Sequence, residues 1–170
     1  AGDVESSSIH INYEDLIHDV DMGDIITVDN GLINLEVLSK QERVMKVKVI
    51  DGGLLKSKRH VNLPGIRVNL PAITDKDRRD IQFGMQQGVD FIALSFVRQA
   101  ADVNQLRELL GDRSNDIKII AKLEDQEGIT NMIDIIDAAD GVMVARGDLG
   151  VEVPFEVLPR IQRRIIRTCA

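Results

Sequence analysis

Cysteine is almost missing from this chain: Cys169 is the only one in 170 residues. An internal disulfide framework and a cysteine-based metal cluster are therefore excluded, and Cys169 reads as a side chain on a helix tail. No apolar run approaches the roughly 20 residues that a membrane helix needs. Ala1 to Ser8 lack the basic and then apolar layout of a signal peptide, so a soluble, cytoplasmic protein with no membrane partner is expected. Acidic residues outnumber basic ones, 28 to 21. The formal net charge of -7 argues against nucleic-acid binding, which calls for a basic face. An anionic substrate would need positive charge from elsewhere, and magnesium held by carboxylate oxygens would supply it. What is present is an ordinary apolar fraction, 44%, enough to bury a core in one domain or two small ones.

The first part, to about Leu70, is strand and turn material. Ile25 to Val28 and Leu32 to Val37 flank Asp29-Asn30-Gly31, where asparagine and glycine suit the positive backbone angles of a hairpin. Val44 to Ile50 alternates, with Val47 and Val49 on one face and Lys46 and Lys48 on the other, and ends at Asp51-Gly52-Gly53. Short strands at this spacing suggest a small barrel or sandwich. Lys56, Lys58, Arg59 and His60 then make a basic cluster, either a solvated loop or a grip on phosphate. Asn62-Leu63-Pro64-Gly65 and Asn69-Leu70-Pro71-Ala72 read as an extended junction, because proline pushes the residue before it out of helical geometry. The domain boundary is placed there, giving units 1–68 and 69–170.

Beyond the junction the pattern changes to alternating strand and helix. Thr74 is an expected N-cap with Asp77 three residues on, for a helix running toward Gly88. Phe91 to Phe96 is a strand, Ala101 to Leu110 a helix stopping at Gly111, and Ile117 to Ala121 a second strand. A helix over Ile129 to Ala138 follows, then a third strand over Gly141 to Ala145 and a helix over Pro154 to Cys169. About three strand-helix units repeat at a spacing of about 25 residues. They belong to a doubly wound sheet or to part of a (β/α)8 barrel, which needs about 250 residues when complete.

Two polar clusters sit at the exits of neighbouring strands in this scheme: Lys122 to Gly128, and Arg146 to Gly150. Strands about 4.8 Å apart would bring Glu124 and Asp148 within reach of one octahedral ion. Lys122, two residues before Glu124, projects from the same face, either to neutralise charge on a transferring group or to form a salt bridge with Glu124 or Asp148. Gly147 lets backbone approach a ligand, and successive amides there can receive a carboxylate. Arg98 and Arg146, also at strand exits, are expected in structural ion pairs.

Ser95-Phe96-Val97-Arg98, the Lys122 to Gly128 run and Asp140 to Gly150 resemble, in order, signatures of the pyruvate kinase family. The likeness runs over nearly all 170 residues. It implies a partial (β/α)8 barrel with an inserted small all-β barrel as lid, Val61 to Gly65 lying at the lid's return. It also implies phosphoryl transfer from phosphoenolpyruvate to ADP, giving pyruvate and ATP in glycolysis. By the resemblance Lys122 is catalytic and substrate-binding, Glu124 and Asp148 bind Mg2+ (with Mn2+ as substitute), and amides at Gly147 and Asp148 receive the substrate carboxylate. Arg59, near a lid lysine of the family, touches nucleotide phosphate. K+ is expected in the full enzyme, with its ligands outside this chain, and the full enzyme is expected as a homotetramer. Leu123, Asp125, His60 and Asn30 depart from the family pattern, and Asp125 adds a charge beside the metal site.

Two rival readings accompany this one. The first is a metal-dependent lyase or aldolase barrel acting on pyruvate or enolates, with Lys122 as a Schiff-base lysine. The second is a non-catalytic fragment that binds a ligand or a partner. This chain alone is expected to have little or no turnover.

Overall fold

The computed structural model describes residues 8–66 and 70–170. Its first half opens with one helical turn, α1 (Leu16–Asp19). Strands β1 (Ile25–Val28), β2 (Ile33–Gln41), β3 (Val44–Asp51) and the short β4 (Val61–Asn62) follow. They form one antiparallel sheet in the order β3-β2-β1-β4. The predicted hairpin joins β1 to β2, and Asp29, Asn30 and Gly31 all hold positive φ, at 56°, 56° and 91°. These residue types tolerate that region best. Along β2 the alternation buries Ile33, Leu35 and Val37, which pack with Leu16, Val20, Ile26, Val28 and Leu63 in one core.

Three features differ from expectation. On β3, Val47 is half-buried but Val49 is exposed. The register with β2 passes from Leu35↔Val49 to Asn34↔Asp51, so Ile50 is an extra residue and the alternation is interrupted. Leu63-Pro64-Gly65 is a turn instead of an extended junction. The Ile66 N–H donates to the Leu63 carbonyl at 3.0 Å and Gly65 has φ 75°, the type II pattern with proline second and glycine third. The small barrel expected for this half is represented, among the described residues, by this single sheet. The boundary expected between residues 68 and 69 lies outside the described residues.

The second half alternates strand and helix throughout. Helix α2 (Asp75–Gln87) opens on the predicted capping box, Thr74 and Asp77 each bonding the other's backbone N–H, and closes at Gly88 with φ 74°. Then come β5 (Phe91–Leu94), α3 (Ala100–Leu110), a 3-10 turn (Gly111–Asn115) and β6 (Lys118–Leu123). The helix expected over Ile129 to Ala138 is two, α4 (Gln126–Thr130) and α5 (Met132–Ala138). They break at Asn131, whose side chain donates to the Arg98 carbonyl at 2.8 Å. Strand β7 (Gly141–Val144) leads into α6 (Arg146–Glu152), and α7 (Leu158–Cys169) follows.

Strands β5, β6 and β7 are parallel and adjacent in sequence order. Crossovers of one hand put successive helices on one face of such a sheet. On that face Ile119, Ala121 and Leu123 of β6 are fully buried with Val103, Leu106, Met132, Ile135 and Ile165. The other face carries Phe91, 64% exposed, opposite Lys118, and Met143, 49% exposed, opposite Lys122. No helix among the described residues is long and apolar enough to cross a membrane.

Candidate active site at the carboxyl ends of the parallel strands

Alternation along β6 sends Leu123 into the helix-covered core and Lys122 and Glu124 toward the opposite face. There the Lys122 ammonium pairs with Glu124 Oε1 at 2.7 Å and donates to Ser95 Oγ at 3.0 Å. Glu124 is 1% exposed. A carboxylate so buried must be compensated, and its second oxygen, Oε2, accepts the Phe96 backbone N–H at 2.6 Å. Phe96 holds φ 51°, a left-handed conformation costly for a side chain of that size. The Val97 N–H in turn donates to the Lys122 carbonyl at 3.3 Å, tying the exit of β5 to β6.

The neighbouring strand delivers the second cluster. The Ala145 N–H donates to the Leu123 carbonyl at 3.3 Å, and Leu149 makes the first α6 bond, to the Ala145 carbonyl, at 3.0 Å. The amides of residues 146 to 148 are thus the first-turn donors that a helix cannot satisfy internally. Gly147 is exposed, with nothing beyond its chain neighbours and its own helix backbone within 4 Å of where a Cβ would stand, and Asp148 is half-buried. The structure therefore brings Lys122 and Glu124 into contact. Asp148 stands on the adjacent element and makes no ion pair with Lys122 among the described residues.

Arg59 is elsewhere, paired with Asp29 at 3.4 Å. It lines a cavity of about 750 Å3 between the two halves, together with His60, Asn62, Ser95, Asp125 and Glu152. The Arg98 guanidinium bonds the Leu70 carbonyl. Arg146 is exposed and makes no ion pair among the described residues, against expectation.

Asp125 serves the fold as the N-cap of α4, where its side chain accepts the Gly128 N–H at 2.7 Å. Burial pushes its pKa up, against the pull of that N–H and of Arg98. Burial also raises Glu152, and the charge of Asp125 adds to the rise, while bonds from Asn62 and the Gly65 backbone oppose it.

The described residues contain no group of three or more His, Cys, Asp or Glu able to hold a metal. Glu124 and Asp148, the two carboxylates expected to hold magnesium, carry hard oxygens of the kind that ion takes, and a site with so few protein ligands would leave its other positions to water and substrate. Sequence reasoning missed Ser95 and the Phe96 amide as parts of this site. Strand alternation held the signal for Ser95, which follows Phe91 and Ala93 on the same face.

A family model described as pyruvate kinase, barrel domain, matches residues 1–170. The chain belongs to the pyruvate kinase family. It is 52% identical to the pyruvate kinase of Bacillus licheniformis and 54% identical to that of Geobacillus stearothermophilus, each over 164 residues. Both alignments cover 95% of this chain and 28% of the relative. The pyruvate kinase of Staphylococcus aureus (strain USA300) is 48% identical over 161 residues, 94% of this chain and 28% of its own length. The chain thus spans less than a third of these relatives. None of the departures from the pyruvate kinase pattern noted above takes part in the Lys122 and Glu124 hydrogen bonds: Leu123 packs in the core, Asp125 caps a helix although its charge is felt at Glu124, the His60 carbonyl accepts the Asp29 N–H, and Asn30 turns the hairpin.

Proposed function

We propose that the protein to which these 170 residues belong transfers the phosphoryl group of phosphoenolpyruvate to ADP, forming pyruvate and ATP. The observation that carries this reading is the Lys122 ammonium seated against the buried Glu124 carboxylate at a strand exit. Phosphoryl transfer asks for positioning and charge neutralisation more than for covalent chemistry. Lys122 would neutralise charge on the transferring group, and amides at Gly147 and Asp148 would receive the substrate carboxylate. Glu124 and Asp148 would hold magnesium, which when bound supplies further positive charge to the phosphoryl oxygens. Arg59, on the cavity wall, would meet nucleotide phosphate. The seating of Lys122 against a carboxylate and a hydroxyl suits charge neutralisation better than the free amine attack of a Schiff-base enzyme.

In this reading residues 1–68 belong to an all-β lid and 69–170 to part of a (β/α)8 barrel. The sequential parallel order of β5, β6 and β7 and the uncovered face bearing Phe91 and Met143 support it, since parallel sheets are covered on both faces. The complete protein would be a cytoplasmic homotetramer using K+ as well as Mg2+. The 170 residues alone would turn over little.

Manganese binding to the chain, with and without oxalate as an enolpyruvate mimic, tests the site. Glu124→Ala and Asp148→Ala should each weaken binding at least tenfold and abolish its strengthening by oxalate. Equal binding by wild type and variants would remove the site from this chain. Borohydride trapping of pyruvate on Lys122 would instead favour the aldolase reading.

A further inference from the structure

Both oxygens of Glu124 are engaged: Oε2 by the Phe96 backbone N–H, fixed in the chain at the exit of β5, and Oε1 by the Lys122 ammonium. A cation that takes Glu124 therefore competes with Lys122 for Oε1, and two positive charges then repel. The ammonium has one other partner in place, the neutral hydroxyl of Ser95 at 3.0 Å. Ser95 directly precedes Phe96, whose left-handed backbone accompanies the delivery of two consecutive groups, the Ser95 hydroxyl and the Phe96 N–H, to the exit of β6. Strain of this kind persists only where the surroundings impose it.

We propose that Ser95 is a positioning residue that retains the Lys122 ammonium at the strand ends when a divalent cation takes its place on Glu124. The inference rests on Glu124 as a cation ligand. Without the hydroxyl, the displaced lysine would swing into solvent, and the charge that faces the transferring group would be lost from the site as the cation arrives.

The test is a side-chain 1H–15N spectrum of the lysine-labelled full chain, with the Lys122 ammonium assigned by its loss in Lys122→Met. An ammonium held by two acceptors should give a detectable signal without cation. Ser95→Ala should weaken that signal at least twofold and Ser95→Thr, which keeps the hydroxyl, should restore it. The signal of Lys118, paired with Asp140, should not change. With magnesium the wild-type signal should shift but persist, whereas in Ser95→Ala it should fall at least fivefold further. Absence of a wild-type signal, or identical Lys122 signals in wild type and Ser95→Ala, would overturn the proposal. So would a magnesium-bound chain in which the Lys122 signal does not move. If manganese binding fails in wild type, the cation reading of Glu124 falls, and the cation-free comparison alone judges whether Ser95 holds Lys122.

Discussion

Gly128 and Val97 touch so closely that a Cβ on the glycine would stand 2.5 Å from the Val97 carbonyl oxygen. Helix α4 therefore rests directly on the backbone leaving β5, the same backbone that supplies the Phe96 N–H to Glu124. Gly128→Ala would gain some helix propensity but must push two backbones apart, an overpacking cost of about 2 kcal/mol. We expect a thermal midpoint about 5 °C lower and weaker manganese binding. An unchanged midpoint would mean that the contact yields easily.

Asp140 clamps the start of β7 to its surroundings. It accepts the Ile119 N–H at 2.9 Å and pairs with Arg107 at 3.0 Å and Lys118 at 3.5 Å. The Ile119 N–H foremost, helped by Arg107 and Lys118, holds its pKa below the ordinary 3.8 against the desolvation that burial brings. A depressed folded pKa means that the stabilisation is present above the ordinary value and is lost as pH falls through the lowered one. Asp140→Asn should cost about 1 kcal/mol at neutral pH. Urea midpoints of wild type and variant should converge on acidification below about pH 4, and a gap that stays constant would contradict this.

Glu152 has the opposite sign. Its folded pKa is raised by burial and by the charge of Asp125, so protonation favours the folded state and the penalty grows as pH rises through the raised value. Glu152→Gln keeps an acceptor oxygen for Asn62 and Gly65 while removing the charge. It should stabilise the chain at pH 7 by a few tenths of a kcal/mol after solvent screening, and the advantage should disappear in acid. Destabilisation at pH 7 would show that both carboxylate oxygens are needed.

Thr74→Ala removes half of the capping box that opens α2 and should cost about 1 kcal/mol. Thr74→Ser should recover most of it. Hydrogen exchange confined to the first turn of α2 would locate the effect.

Much of this fold was legible because its signals are local. The α2 caps, the Asp29 to Gly31 hairpin and the apolar runs of β5, β6 and β7 were each readable within a dozen residues. Helix α6 was not. Two glycines in seven residues argue for a turn, and what sustains the helix is the burial of Leu149, a tertiary fact. The break at Asn131 was hidden likewise, since its cause is a bond to the Arg98 carbonyl thirty-three residues away. In the site, spacing alone put Lys122 and Glu124 on one face but left open whether the lysine pairs with Glu124 or with Asp148, which the structure decides for Glu124. The Phe96 N–H could not be read at all, because a donor on the backbone leaves no trace in residue identity and its direction depends on a left-handed φ.

Strand β6 answers to two sets of neighbours at once. Ile119, Ala121 and Leu123 serve the helices, while Lys122, and Glu124 just past the strand's end, serve the chemistry. Substitutions that conserve volume at the first three positions can drift without touching the charges. A single inserted residue ahead of Lys122 would exchange the two sets, forcing the ammonium among the helices and a leucine into the open. Variation along this strand is therefore expected to be rich in replacements and poor in length changes.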